Sequence, residues 1–137
     1  MTVSRNAILE VFKNDFVHIT YSPDKQQLTQ TWKGFADSAS FRQGIDSSVR
    51  ICQTENVSTL LSDTTQQNVV RQADAQYAAD AAREMTKSGV KALAFILSRD
   101  IFNKMTVKNL ADQRPTENVR YFDSREEAES WLDKHRG

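Results

Sequence analysis

The sequence predicts an α/β domain: a mixed five-stranded sheet, mostly parallel with its first strand antiparallel, flanked by four helices. Three observations predict it. Strand-like and helix-like segments alternate along most of the chain, which implies parallel strands joined by right-handed crossovers. Near the start, two strand-like segments are joined by a tight turn, so that pair runs antiparallel. Ala92 to Leu97 is apolar without a break, as suits a strand covered on both faces. At 137 residues, with no repeat and no low-complexity tract, the chain is expected to form one domain over residues 1–137.

The first strand spans about Phe16 to Tyr21, where aromatic and β-branched residues dominate. Ser22-Pro23-Asp24-Lys25 then reads as a turn, since proline presets φ and aspartate bonds nearby backbone. The second strand, Leu28 to Lys33, alternates: Leu28, Gln30 and Trp32 face one way, Thr29, Thr31 and Lys33 the other. One face of this hairpin is therefore at least partly wet. Gly34 and Phe35 lead into a helix capped by Ser38 or Ser40, with Gln43 three residues after Ser40 in capping-box spacing. Phe41, Ile45, Val49 and Cys52 step along one face of this helix. Gly44 within it costs about 1 kcal/mol relative to alanine.

Val57 to Leu61 is a short third strand. Ser62 to Gln72 is polar and amide-rich; it is expected to be a loop, and the most mobile internal segment, because it has few apolar anchors. Asp74 to Ser88 is an alanine-rich helix with Ala75, Ala78, Ala79, Ala82 and Met85 on one face and Gly89 as its C-terminal cap. In the fourth strand, Ala92 to Leu97, a bulky face of Leu93, Phe95 and Leu97 opposes a slimmer one of Ala92, Ala94 and Ile96. This strand is expected to be central and the most buried. Ser98 or Asp100 caps the next helix, with Ile101, Phe102, Met105 and Leu110 inward and Pro115 beyond its end. Val119 to Phe122 is the fifth strand. Ser124 starts the last helix, with Glu127 three residues on. Ala128, Trp131 and Leu132 form its apolar stripe, and Lys134, His135 and Arg136 occupy the final turn, where cations suit the helix dipole.

Composition narrows the function. Lys plus Arg equals Asp plus Glu at 18 each, so the formal net charge is zero. Such a chain exerts no long-range pull on nucleic acid or anionic membrane, and little self-repulsion opposes association. A homodimer or a protein partner is expected, and nucleic acid is not. No apolar run of about 18 residues occurs, so no membrane span is expected. The opening MTVSRNAILEVFKND interrupts its apolar residues with Glu10, Lys13 and Asp15, unlike a secretory leader. The lone Cys52 can make neither an internal bridge nor a zinc site. A cytoplasmic location is expected.

One run of residues points to a family. A strand pair ends in Trp32-Lys33-Gly34-Phe35, and a helix begins near Ala39-Ser40-Phe41-Arg42. A short strand ends in Ser62-Asp63, and Leu93-Ala94-Phe95-Ile96-Leu97 is followed by Phe102-Asn103-Lys104-Met105. Arg120-Tyr121-Phe122-Asp123-Ser124 leads into Glu126-Glu127-Ala128 and on to Trp131-Leu132. In order and spacing this resembles the small bacterial STAS/SpoIIAA-like proteins over nearly the whole chain. The resemblance implies a mixed five-stranded sheet with flanking helices. Better-known relatives are anti-sigma-factor antagonists, which bind a kinase and are switched by serine phosphorylation; the fold is also similar to Sec14-like lipid-binding domains. The regulated branch carries an Asp-Ser-Ser-Gly-type stretch where this chain reads Asp63-Thr64-Thr65-Gln66. With no matching serine and no glycine, the phosphosite does not carry over.

Open α/β sheets bind ligands at the carboxyl ends of their strands. Those ends supply Asp63, Thr64, Arg99, Asp100 and Asp123. One reading is a site for a small polar or anionic ligand held by Arg99 and helix N-terminal amides; the other is helix capping with a surface ion pair. Thr64 and Thr65 are either phosphoacceptors or hydroxyls that bond their own backbone. Trp32, Phe35, Tyr77 and Phe122 either line one face, under a ligand or second subunit, or belong to the core. Cys52 on the apolar stripe reads as inert packing. Two separated histidines, His18 and His135, make no catalytic constellation. No metal ligands cluster and no glycine-rich phosphate loop occurs, so no metal, cofactor or catalytic residue is assigned. The expected function is a non-enzymatic regulatory or protein-interaction module. The alternative, on the Sec14-like analogy, is a binder of a small apolar ligand or lipid.

Overall fold

The computed structural model describes residues 7–107 and 118–136, without the side chains of 104–107. Ten elements follow in order: β1 (Leu9–Lys13), β2 (Val17–Ser22), β3 (Gln27–Gly34), α1 (Ser38–Thr54), β4 (Thr59–Gln67), α2 (Gln72–Lys87), β5 (Ala92–Ile96), α3 (Arg99–Val107), β6 (Val119–Phe122) and α4 (Arg125–Asp133). The strands form one sheet in the order β1-β2-β3-β4-β5-β6. The first three run antiparallel and the rest pair in parallel.

The sheet therefore has six strands rather than five. The additional strand is β1, an edge strand. Its register on β2 shifts between Glu10 and Phe12, so Leu9 lies opposite Tyr21 and Phe12 opposite Ile19. Residues paired across strands share a face. The two β1 residues that pack on the helix-side core, Val11 and Phe12, are neighbours in sequence, which breaks the two-residue alternation that marks a strand.

Burial explains the other layers. Leu28, Gln30 and Trp32 of β3 are buried while Thr31 and Lys33 are exposed, as the alternation requires. On one face, Val17, Ile19, Leu28, Trp32, Leu60 and Leu93 pack beneath α1 and α2. On the other, Leu61, Ala92, Ala94, Ile96 and Phe122 pack beneath Ala128 and Leu132 of α4. β5 is sandwiched as expected, its bulky face toward α1 and α2 and its slim face toward α4. It is interior but not central, since it is second from the β6 edge and the middle pair is β3 and β4.

β4 extends well past Leu61. Ser62 to Gln67, expected to be loop, is strand: Asp63 pairs with Thr31 and Ile96, and Gln66 and Gln67 pair with Lys33 and Gly34. Backbone ladder bonds hold this polar half, and they leave no trace in hydropathy. The connection shrinks to Asn68–Arg71.

The helix ends follow side-chain chemistry. α1 is capped by Asp37 rather than Ser38 or Ser40; its carboxylate accepts the Ser40 N–H at 2.8 Å and the Ser40 hydroxyl at 3.0 Å. These two bonds hold the Asp37 carboxyl below its ordinary pKa. α2 starts at Gln72 with no side-chain cap and ends on Gly89, whose φ of 118° suits glycine. Its inward residues are Asp74, Ala81 and Met85, whereas Ala75 and Ala79 are exposed. Ser98 accepts the Ile101 N–H at 3.3 Å at the start of α3. Ile101 itself points outward, 47% exposed, contrary to expectation. Ser124 caps α4 by accepting the Glu127 N–H at 3.3 Å. α4 ends at Asp133, so Lys134, His135 and Arg136 follow the helix rather than forming its last turn. Met105 as an inward side chain, Leu110 and Pro115 lie outside the described residues.

Candidate functional site

β3 to β6 are parallel, so their carboxyl ends share one rim of the sheet. Asp63, Thr64, Arg99, Asp100 and Asp123 all belong to that region. Arg99 Nε lies 3.6 Å from Asp123 Oδ2, a pair between an arginine side chain 80% exposed and a half-buried carboxylate. Such exposed pairs contribute at most about 1 kcal/mol. Thr64 Oγ1 donates to the Ile96 carbonyl at 2.8 Å, tying β4 to the end of β5. Asp63 Oδ1 accepts the Thr65 N–H at 3.0 Å and the Thr65 hydroxyl at 2.7 Å. Asp100 is exposed in the first turn of α3. Arg99 and Asp123 are thus brought together, while Asp63 and Thr64 hold backbone in place.

The four aromatics separate. Trp32 is buried against Phe41, ring centroids 5.0 Å apart, beneath α1. Phe122 is buried on the opposite face against Trp131 at 5.8 Å. Tyr77 is half-buried on α2, and its hydroxyl donates to Asp46, a bond that raises the phenol pKa. Of the four, only Phe35 is exposed on the rim, at 52%.

Phe35, one of the four aromatics that the sequence offered for a face under a ligand or second subunit, marks a second stretch of the rim. The end of β3, the start of α1 and the Asn68–Arg71 connection surround a shallow depression lined by Gly34, Phe41, Val69, Val70, Arg71 and Asp74 among others. It has room for about one water molecule. Val69 is 83% exposed beside it. The Arg71 guanidinium stacks on the Phe35 ring 4.6 Å from its centre and donates to the Ala36 carbonyl at 3.3 Å.

Beneath this patch lies Asp74, 2% exposed. Its carboxylate accepts the Ser38 hydroxyl at 2.8 Å and Arg42 Nε at 3.1 Å. The Ser38 bond foremost, then Arg42 and the nearby Arg71 charge, hold its pKa below the ordinary aspartate value against the opposing effect of burial. Arg42 also stacks on the Tyr77 ring at 4.6 Å. The cluster locks the start of α2 to the start of α1 and so fixes the connection that carries Val69 and Arg71. An Ala-Asp-Ala helix opening gives no sign of this burial; the only sequence signal is an aspartate in a first helical turn, common for dipole reasons alone.

No family model matches the chain, and no curated protein matches it. Among solved structures it is similar to an uncharacterized DUF3478-family protein from Shewanella loihica PV-4 with a SpoIIAA-like fold, at 16% sequence identity and a TM-score of 0.52. The match covers 96% of this chain and 98% of that one. Among the described residues no helix is long and apolar enough to cross a membrane. A mixed sheet of this topology, covered by helices on both faces and aligned over nearly its whole length, gives the chain a SpoIIAA-like fold.

Proposed function

We propose that the protein is a non-enzymatic, cytoplasmic interaction module that docks a protein partner on the Phe35–Val69 part of its rim. The observation that carries this reading is the exposed apolar pair itself. Val69 lines a shallow depression on a connection fixed from below by Asp74, and Phe35, at the end of β3, stacks on Arg71 of that connection. Aromatic and arginine side chains are the residues most enriched at protein contacts, and Phe35 stacked with Arg71 presents both. The small depth of the depression favours a protein surface over a lipid chain, which needs a cavity of several hundred cubic ångströms. Four polar residues of the β4–β6 end support a non-enzymatic role: Thr64 and Asp63 are engaged in holding backbone, and Arg99 pairs with Asp123.

The test is affinity capture from the native host with wild-type protein and a Phe35→Ser/Val69→Ser double variant, together with light scattering of both. A specific protein held by the wild type and lost, by at least about tenfold, in the variant is expected. If the partner is a second copy, the same loss appears as a shift from dimer to monomer. Equal capture and equal mass for both proteins would defeat the reading.

A further inference from the structure

Gln27 opens β3 and Thr59 opens β4, and the two are register partners in that parallel pair. Their side chains lie on the α4 face: Thr59 also pairs with Ala92, which packs in the α4 cluster, and the Gln27 amide reaches Glu129 of α4. Both residues are buried, Gln27 at 4% exposure and Thr59 at 0%. Gln27 Nε2 donates to Glu129 Oε1 at 3.1 Å and to Thr29 Oγ1 at 3.2 Å. Gln27 Oε1 and Thr59 Oγ1 remain as buried oxygens with no hydrogen-bond partner among the described residues. Reversing the amide does not help, because it would set Oε1 against the Glu129 carboxylate.

A bare buried polar atom is unfavourable, and here two stand on adjacent strands. Adjacent strands lie about 4.7–4.9 Å apart. A single water, with bonds of about 2.8 Å, can join side-chain oxygens of such neighbours. Water supplies the donor that Gln27 Oε1 lacks and can give to or accept from a hydroxyl. Ala92, the register partner of Thr59 on its other side, is also fully buried and offers no polar group to either oxygen.

We propose that one ordered water is held between Gln27 Oε1 and Thr59 Oγ1, joining the starts of β3 and β4 beneath α4 as a fixed part of the fold. NMR cross-relaxation between water and the amides around Gln27 and Thr59 tests this. A long-lived water is expected in the wild type and in Thr59→Ser, and its loss in Thr59→Val. Valine also strips Gln27 Oε1 of its bridge, so the folding equilibrium constant is expected to fall about tenfold. A wild type with no long-lived water there would overturn the proposal. So would a folding constant that rises in Thr59→Val, the response of a hydroxyl that had been bare. Should the valine variant fail to fold, the wild-type and serine measurements still decide.

Discussion

The Asp74 carboxylate is buried yet charged because the Ser38 hydroxyl, Arg42 and Arg71 surround it. Its native pKa is depressed, so the folded protein holds that proton less tightly than the unfolded chain does. The stabilisation is complete above the ordinary aspartate range near about pH 4, and it is lost as pH falls through the lower native value. Asp74→Asn removes this dependence, so denaturant midpoints of the variant should fall less steeply between about pH 5 and pH 2 than those of the wild type. Parallel acid limbs would show that Asp74 does not drive acid unfolding. A second buried chain runs from Trp32 Nε1 to Gln30 Oε1 at 3.1 Å, from Gln30 Nε2 to Ser48 Oγ at 2.7 Å, and from Ser48 Oγ to the Gly44 carbonyl at 3.0 Å. Ser48→Ala leaves the Gln30 amide bare in the core, at an expected cost of about 1–3 kcal/mol in urea unfolding. A cost near zero would mean that Gln30 finds another acceptor. Cys52 is buried, and burial alone pushes its thiol up to about 12. Native protein at pH 8 should therefore resist alkylation that unfolded protein undergoes readily, roughly a hundredfold slower. Its burial was legible in the sequence, since a cysteine on a helix stripe is placed by the same periodicity as its apolar neighbours. The network at Ser48 was not, because Ser48 meets Gln30 only after a strand and a helix have packed.

At the scale of elements, Gly44 shows how α1 reaches the sheet. A Cβ at that position would lie 2.9 Å from Val17 Cγ1 and 3.1 Å from Trp32 Cη2. The helix can lie this close only because the side chain is a hydrogen. Alanine would raise helix propensity by up to about 1 kcal/mol but must push Val17 or α1 aside, at about 1–3 kcal/mol. Gly44→Ala is expected to be net destabilising by about 1 kcal/mol in thermal or urea unfolding; a stabilised variant would show that α1 shifts freely. The sequence marked the position as an internal helical glycine but could not say what lay opposite. The same division holds for strands. β2, β3 and β5 carry patterns of period two or unbroken apolar runs, and they appear where expected. β1 is masked by its register shift, and the second half of β4 by its polar side chains. Both are held by ladder bonds to neighbours already in place.

At the scale of the whole molecule, two cores share one sheet. Trp32 belongs to the α1 and α2 side and Trp131 packs against the α4 side. If residues 1–137 unfold as one cooperative unit, single-tryptophan variants that report from the two sides should give coincident denaturation midpoints. Midpoints separated beyond error would divide the molecule into independent layers. The alternation of elements, the two faces of β3 and β5, the helix end at Gly89, the helix start at Ser124 and the apolar stripes of α1 and α4 were determined by the sequence alone. Periodicity, capping and backbone preference act within a few residues, and a few residues suffice to show them. The sixth strand, the length of β4, the burial of Asp74 and the position of the Phe35–Val69 patch were decided only in the tertiary structure. Each arises where segments distant in the chain meet, and a hydrogen bond or close contact between such segments has no signature in the local pattern of either one.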